Sequence, residues 1–263
     1  MTKNSAIRIK LFEVKKKVIL FFSWFGKLQR VIKRSTTHKQ VITSSNCFDV
    51  PIIINNRNRL TFLKMMVDQL RSFGYKNIYV LDNDSSYPPL LEYYKTTSAK
   101  VIYLKENLGY MALWQSKAFD QFKNGFYVYS DPDILMQDDC PKDFIYQLFK
   151  HLNDYTWKEK AGVALRIDDI PNHYKQKADI NGWEKQNWEK QLKPDVYDAL
   201  VDTTLALYKP LAFGNAEQCS AIRVGGKLTA KHLPWYINSD AISEEELFYK
   251  NTISKTSTYW SSK

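Results

Sequence analysis

Three features of this 263-residue chain predict an α/β fold with a mostly parallel sheet flanked by helices. Short runs rich in Val, Ile and Tyr alternate with stretches whose apolar residues recur at helical spacing. The connections between them are short. Several of the β-rich runs end in Asn or Asp. Strand–helix alternation with short connections favours parallel strands joined by covering helices. Such a sheet lines up the carboxyl ends of its strands, and α/β proteins bind ligands along that edge.

The elements follow in order. Val50-Pro51-Ile52-Ile53-Ile54-Asn55-Asn56 reads as a buried strand, continuous and β-branched. Leu60, Leu63, Met66, Val67 and Leu70 recur at helical spacing, so about 61–73 is a helix that Gly74 stops. Asn77 to Asp82 is a second strand, ended by an acid. After the loop 83–89, Leu90 to Tyr94 begins a helix. Lys100 to Leu104 is a third strand, Glu106 to Tyr110 a loop, and Met111 to Phe122 a further helix. Phe126-Tyr127-Val128-Tyr129-Ser130 is a fourth strand, and it ends abruptly in Asp131-Pro132-Asp133. Pro132 denies a sheet its backbone donor, so the two carboxylates stand at or just past a strand end. There they make either a turn or a site for a divalent cation, which takes hard oxygen ligands and shares phosphates as further ligands. Later, Phe144 to Leu152 reads as a helix and Ala161 to Ile167 as a strand that delivers Asp168 and Asp169. Asp202 to Tyr208 reads as a late strand.

The chain divides into an arm and linker, 1–40, and a body from about 48, with halves 48–140 and 141–263. Residues 1–40 hold 11 Lys/Arg and one acid, Glu13, which leaves 27 bases and 27 acids in the rest. The net charge of +10 thus belongs to the arm. A neutral body argues against nucleic acid as a partner. In the arm, Val18 to Phe25 is an apolar, aromatic run between Lys15-Lys16-Lys17 and Lys27, Arg30, Lys33 and Arg34. It is shorter than the about 20 apolar residues that span a bilayer. Residues 7–34 fit an interfacial helix on an anionic membrane surface, or else a helix packed on the body or a partner. Cys47, Cys140 and Cys219 are odd in number and far apart, so they read as small buried hydrophobes in a reducing compartment. The expected location is therefore cytoplasmic, peripheral on the inner face of the cell membrane. No Gly-x-Gly-x-x-Gly follows the first strand and no Walker A sequence is present, which argues against dinucleotide binding and P-loop chemistry.

The series Pro51-Ile-Ile-Ile-Asn-Asn-Arg57, Tyr79-Val-Leu-Asp82-Asn-Asp84-Ser85-Ser86, Asn107-Leu-Gly109-Tyr110 and Asp131-Pro-Asp133 resembles the nucleotide-sugar glycosyltransferases of the GT-A (Rossmann-like) fold. The resemblance is close to the family 2 type found in bacterial surface-polysaccharide synthesis. The resemblance covers about 48–140 well and the later chain loosely. It implies that Asn56, Arg57, Asp82, Asn107, Gly109 and Asp131 hold a nucleotide-sugar, with UDP the family default. It implies that Asp131 and Asp133 bind Mn²⁺ or Mg²⁺, with His232 of Lys231-His232-Leu233-Pro234 as a further ligand. The acceptor would be a glycan or a lipid-linked sugar. One departure is that no Glu-Asp dipeptide supplies the base used by many inverting members. The nearest substitutes are Asp168-Asp169, Glu184, Glu189 and Glu244-Glu245-Glu246; Asp169 is favoured, before Asp168 and Glu184, and a retaining route without a dedicated base stays open. Trp183 and Trp188 suit either sugar stacking or core packing. Two other readings compete: a non-catalytic membrane-associated nucleotide-sugar-binding or scaffold protein, and a sugar nucleotidyltransferase. Asn55 to Arg59 lacks the glycines that a nucleotidyltransferase usually carries there.

Overall fold

In the computed structural model the described residues are 25–36, 40–214 and 219–252. The chain divides into two compact units, Met1–Lys39 and Gln40–Lys263. Of the first, a helix over 25–36 is described, and most of the aromatic run assigned to a membrane surface lies outside the described residues. The second unit begins before the expected boundary. Ile42 and Cys47 are buried in it, and Gln40 Oε1 accepts a hydrogen bond from Phe126 N at 3.2 Å.

The second unit is built on one sheet of ten strands. They are β1 (Ile52–Asn56), β2 (Ile78–Asp82), β3 (Lys100–Tyr103), β4 (Tyr127–Ser130), β5 (Ile134–Met136), β6 (Lys160–Leu165), β7 (Gln191–Lys193), β8 (Val196–Tyr197), β9 (Ala206–Tyr208) and β10 (Ala221–His232). Their order is β3-β2-β1-β4-β9-β6-β10-β8-β7, and β5 pairs with β10. The expected parallel half is present, since β2 and β4 flank β1 in parallel and β3 continues beside β2. Strand β9 runs antiparallel between β4 and β6, and β6 and β10 are parallel. The sheet is therefore mostly parallel, with β5, β8 and β9 reversed.

Both faces of β1 are covered, which is why its apolar residues run without alternation. Ile52 and Ile54 pack into one core with Leu63, Met66, Val67 and Leu70 of α1 (Thr61–Phe73). The same core receives Leu90 and Tyr94 of α2 (Pro88–Thr96). Ile53 points the other way, into a core with Leu81, Tyr127, Tyr129 and Tyr208. Gly74 ends α1 in the left-handed region at φ 104°, and its N–H donates to Leu70 and Arg71 carbonyls, as a helix stop requires.

Two expectations are corrected. The helix expected over Met111–Phe122 is broken into a 3₁₀ turn, α3 (Ala112–Gln115) and a second 3₁₀ turn. Ser116 is extended and its Oγ donates to Leu113 O at 3.1 Å, so the side chain competes with the helical ladder. The late strand is confined to Ala206–Tyr208; just before it, Thr203 O accepts from Asp131 N, past the end of β4, and Leu205 O accepts from Val163 N of β6. The helix expected over 144–152 is α4 (Phe144–Asn153). Two further helices, α5 (Lys177–Lys185) and α6 (Glu244–Thr252), lay outside the sequence reading. So did β10, whose pairing with β6 is interrupted between Val224 and Thr229. Gly226 turns there at φ 59°, and a Cβ would stand 2.7 Å from Asp195 Oδ2.

Candidate functional site

Because β1, β2 and β4 are parallel and adjacent, Asn56, Asp82 and Ser130 end on one edge. The loop after β3 is drawn to the same edge by two amides. Asn55 and Asn83 donate from Nδ2 to the Gly109 carbonyl at 3.2 and 2.9 Å, and Asn83 Oδ1 accepts from Leu108 N at 2.7 Å. Gly109 adopts φ 65°, a conformation that favours glycine, and a Cβ there would meet open space. Asn107 is spent on its own loop, accepting from Gly109 N at 3.0 Å. Asn56 Nδ2 donates to the Tyr94 hydroxyl at 2.9 Å, which donates in turn to Asp82 Oδ1 at 3.0 Å. Asp82 is therefore an inward-facing carboxylate that ties β2 to α2, and it is buried. This places it against Tyr94, with Oδ2 accepting from Ser85 N at 3.4 Å. Burial, then the Asp82 charge, push the Tyr94 phenol well above its usual range.

Asn58 is the hub of the loop after β1. It sits at φ 54°, accepts from Ser86 N and Tyr87 N at 2.7 and 3.0 Å, and donates to Thr252 Oγ1 at 3.0 Å. Arg57 donates from Nη1 to Thr252 O at 2.6 Å. Arg59 is buried, paired with Glu246 at 2.8 Å and seated over the Tyr249 ring at 3.8 Å. Its guanidinium also feels the charge of Asp133. Helix α6 thus closes over the loop that the sequence assigned to the nucleotide.

The carboxylate pair follows β4. Asp131 N donates to Thr203 O at 3.0 Å, and Thr203 Oγ1 donates to Asp131 Oδ2 at 2.6 Å. Beyond Pro132, β5 pairs antiparallel with β10 and sets Ile134 opposite His232. Leu233 N donates to Asp133 O at 2.8 Å. This register brings His232 Nε2 to 3.5 Å from Asp133 Oδ1. Asp133 Oδ1 and His232 Nδ1 are buried without a hydrogen-bond partner. Burial, then Asp133, hold the Asp131 carboxyl well above its usual range, against the pull of Thr203 and Arg59. Burial lowers the His232 imidazole, partly offset by Asp133, so the ring is neutral near pH 7. A neutral imidazole is the form that binds metals.

Among the described residues no group of three His, Cys, Asp or Glu side chains already converges on one point. Asp133 and His232 meet, while Asp131 turns to Thr203. The donor set still fits a divalent cation. It offers hard oxygens and one imidazole, which suits Mn²⁺ better than Mg²⁺, and it leaves a buried carboxylate oxygen unsatisfied.

The three expected acid–base residues part company. Glu184 is buried in an ion pair with Arg223 at 2.6 Å and accepts from Asn187 at 3.2 Å. Removing it from that pair would leave Arg223 buried and uncompensated, so its geometry is that of a structural anchor. Asp168 is exposed and paired with Arg166, which holds its carboxyl below the usual range. Asp169 stands in the loop after β6, within 3.4 Å of Arg166 and 3.5 Å of Lys231, the neighbour of His232. Its other oxygen accepts from the Tyr236 hydroxyl. Trp188 is half-buried and packs edge-on to Tyr197 at 5.2 Å and against Gly225. Trp183 is exposed.

Sequence reasoning gave no site role to Arg59, Tyr94 or Thr203, and it weighed Glu244-Glu245-Glu246 only as a stand-in base and not as the start of α6. One signal was available: Ser243-Glu244-Glu245-Glu246 has the spacing of a capping box, and Glu246 N donates to Ser243 Oγ at 3.2 Å.

No protein-family model and no curated protein matches the chain. Among solved structures it is similar to glucosyl-3-phosphoglycerate synthase from Mycobacterium tuberculosis in complex with phosphoglyceric acid. That match has 14% identity, covers 74% of this chain and 78% of that one, and has a TM-score of 0.45. The same enzyme in complex with Mn²⁺ and uridine-diphosphate-glucose matches at 13% identity over 73% and 75% of the chains, with a TM-score of 0.43. A mycobacterial protein matches at 12% identity over 74% and 72%, with a TM-score of 0.46. At these identities and TM-scores the likeness assigns no function to this chain.

Proposed function

We propose that this chain is a glycosyltransferase that holds a nucleotide-sugar, with UDP as the expected nucleotide, on the carboxyl edge of its sheet. A divalent cation would assist, and the acceptor would be a glycan or lipid-linked sugar of surface-polysaccharide synthesis. The observation that carries this reading is a concentration of unsatisfied polar atoms on that edge. Asn55 Oδ1, Asn56 Oδ1 and Arg57 Nε at the end of β1, and Asp133 Oδ1 and His232 Nδ1 across from them, are buried without partners. Buried polar groups are nearly always paired, so such a cluster marks groups that a ligand completes.

Asp133 and His232, with Asp131 beside them, would hold Mn²⁺ or Mg²⁺. When bound, the cation neutralises charge developing on a departing nucleoside diphosphate. Arg57 and Arg59 place fixed positive charge on the same side of the sheet. Asp169 is the carboxylate suited to take the proton from an acceptor hydroxyl, because it lies in the loop after β6 beside Lys231 and is partly exposed. The Tyr236 hydroxyl orients it. The basic arm, 7–34, would keep the enzyme on an anionic cytoplasmic membrane surface, close to a lipid-linked acceptor.

Calorimetric titration with UDP, GDP and CMP, each with and without Mn²⁺, tests this reading. The expected outcome is Mn²⁺-dependent binding of UDP that disappears in a folded Asp131→Asn/Asp133→Asn double variant. Failure of the folded wild-type chain to bind any of the three nucleotides would overturn it.

A further inference from the structure

The two carboxylates of Asp131-Pro132-Asp133 are held in unlike ways. Asp133 leans on His232 at 3.5 Å and keeps an unsatisfied oxygen. Asp131 is clamped at two points by one residue, through its backbone N–H to Thr203 O at 3.0 Å and through Oδ2 to Thr203 Oγ1 at 2.6 Å. Thr203 is itself buried, at 4% exposed, while Asp131 is half-buried. The segment carrying Thr203 is itself anchored. Lys160 Nζ, on β6, donates to Asp202 O at 3.2 Å and to the Tyr208 hydroxyl at 3.0 Å, and Val163 N donates to Leu205 O at 3.1 Å.

The geometry points to Thr203 as a positioning residue for the cation site, acting through Asp131. The inference rests on the cation reading above. A carboxylate just past a strand end rotates freely about its side-chain bonds unless something holds it. A hydrogen bond from a neutral hydroxyl to a carboxylate is strong and directional. It engages Oδ2, so the side chain is fixed before a ligand arrives and Oδ1 is the oxygen left to face one. Outer partners of this kind commonly change metal affinity by about 10–100-fold when removed. Threonine suits the position, because it donates from Oγ1 and the site is buried.

The test is Mn²⁺ affinity of the full chain, measured by electron paramagnetic resonance of free Mn²⁺, with thermal melting of each variant in parallel. Thr203→Val keeps the shape and removes the donor, and it is expected to weaken Mn²⁺ binding about 10-fold or more. Thr203→Ser restores the donor and is expected to restore affinity at a comparable melting temperature. Thr203→Ala reads the same loss if valine is not accommodated. Wild-type affinity in a folded Thr203→Val or Thr203→Ala chain overturns the inference, and so does a serine variant as weak as valine. In both cases the cation reading survives, whereas a wild-type chain that binds no Mn²⁺ overturns the two together.

Discussion

Lys160 shows what a single buried charge does in this fold. It is fully buried at the start of β6, and burial lowers its ammonium to about 8. An unfolded lysine titrates at about 10.4. Between those values the unfolded chain holds the extra proton, so this residue makes stability rise with pH across that window. Below about pH 8 both states are charged and the full penalty of burial is present. In Lys160→Met the rise from this residue is removed. Urea unfolding of both chains from pH 7 to 10 should show wild type gaining on the variant as pH increases, and parallel curves would refute the assignment. The tyrosines do not mimic the effect. Burial pushes the Tyr129 and Tyr208 phenols up, so their contribution falls as pH rises past about 10, the ordinary phenol value, opposite in sign to that of Lys160.

Elements meet here through small residues and borrowed caps. Gly162 in β6 lies under Val201, and a Cβ on it would stand 2.5 Å from Val201 Cγ1. Gly162→Ala should therefore destabilise by about 1–3 kcal/mol through overpacking, and adding Val201→Ala should recover part of that loss. Equilibrium unfolding of the single and double variants checks both statements. Helix α1 has no capping side chain of its own, since Leu60 precedes it. Glu245 of α6 supplies the acceptor, taking Leu60 N at 2.7 Å and Thr61 N at 3.0 Å. The carboxylate also meets the positive end of the helix dipole. Helix α6 is thus part of the loop that follows β1, although the two are far apart in the chain.

At the scale of the molecule, charge is divided along the chain. The arm carries the whole excess of +10, and the remainder is balanced. No described helix is long and apolar enough to cross a membrane. The membrane association proposed above predicts surface binding through electrostatics, at roughly 1 kcal/mol per basic residue. The full chain should co-sediment with vesicles containing phosphatidylserine, release them as salt is raised, and lose the interaction when residues 1–39 are removed. Equal binding to neutral vesicles, or undiminished binding by 40–263, would refute it.

Local patterns carried much of this protein's fold. The apolar run 52–54, the helical spacing of Leu63, Met66, Val67 and Leu70, and the abrupt stop at Gly74 each act over a few residues. The parallel first half and its ligand edge follow from them. The gathering of Asn56, Asp82 and Asp131 on that edge was legible too, because parallel strands bring their ends together whatever lies between. What the sequence could not decide was which partner each polar group takes. Asp82 and Glu184 are acids like Asp169, but Tyr94 and Arg223 draw them inward while Asp169 keeps partial exposure. The approach of His232 to Asp133 depends on the β5–β10 register, and the clamp on Asp131 on a strap that precedes β9. The break at Ser116 and the turn at Gly226 are likewise settled by neighbours from elsewhere in the chain or by competing side-chain bonds. Tertiary structure decides such matters because hydrogen bonds and burial act over a few ångströms in space, with no regard to distance along the chain.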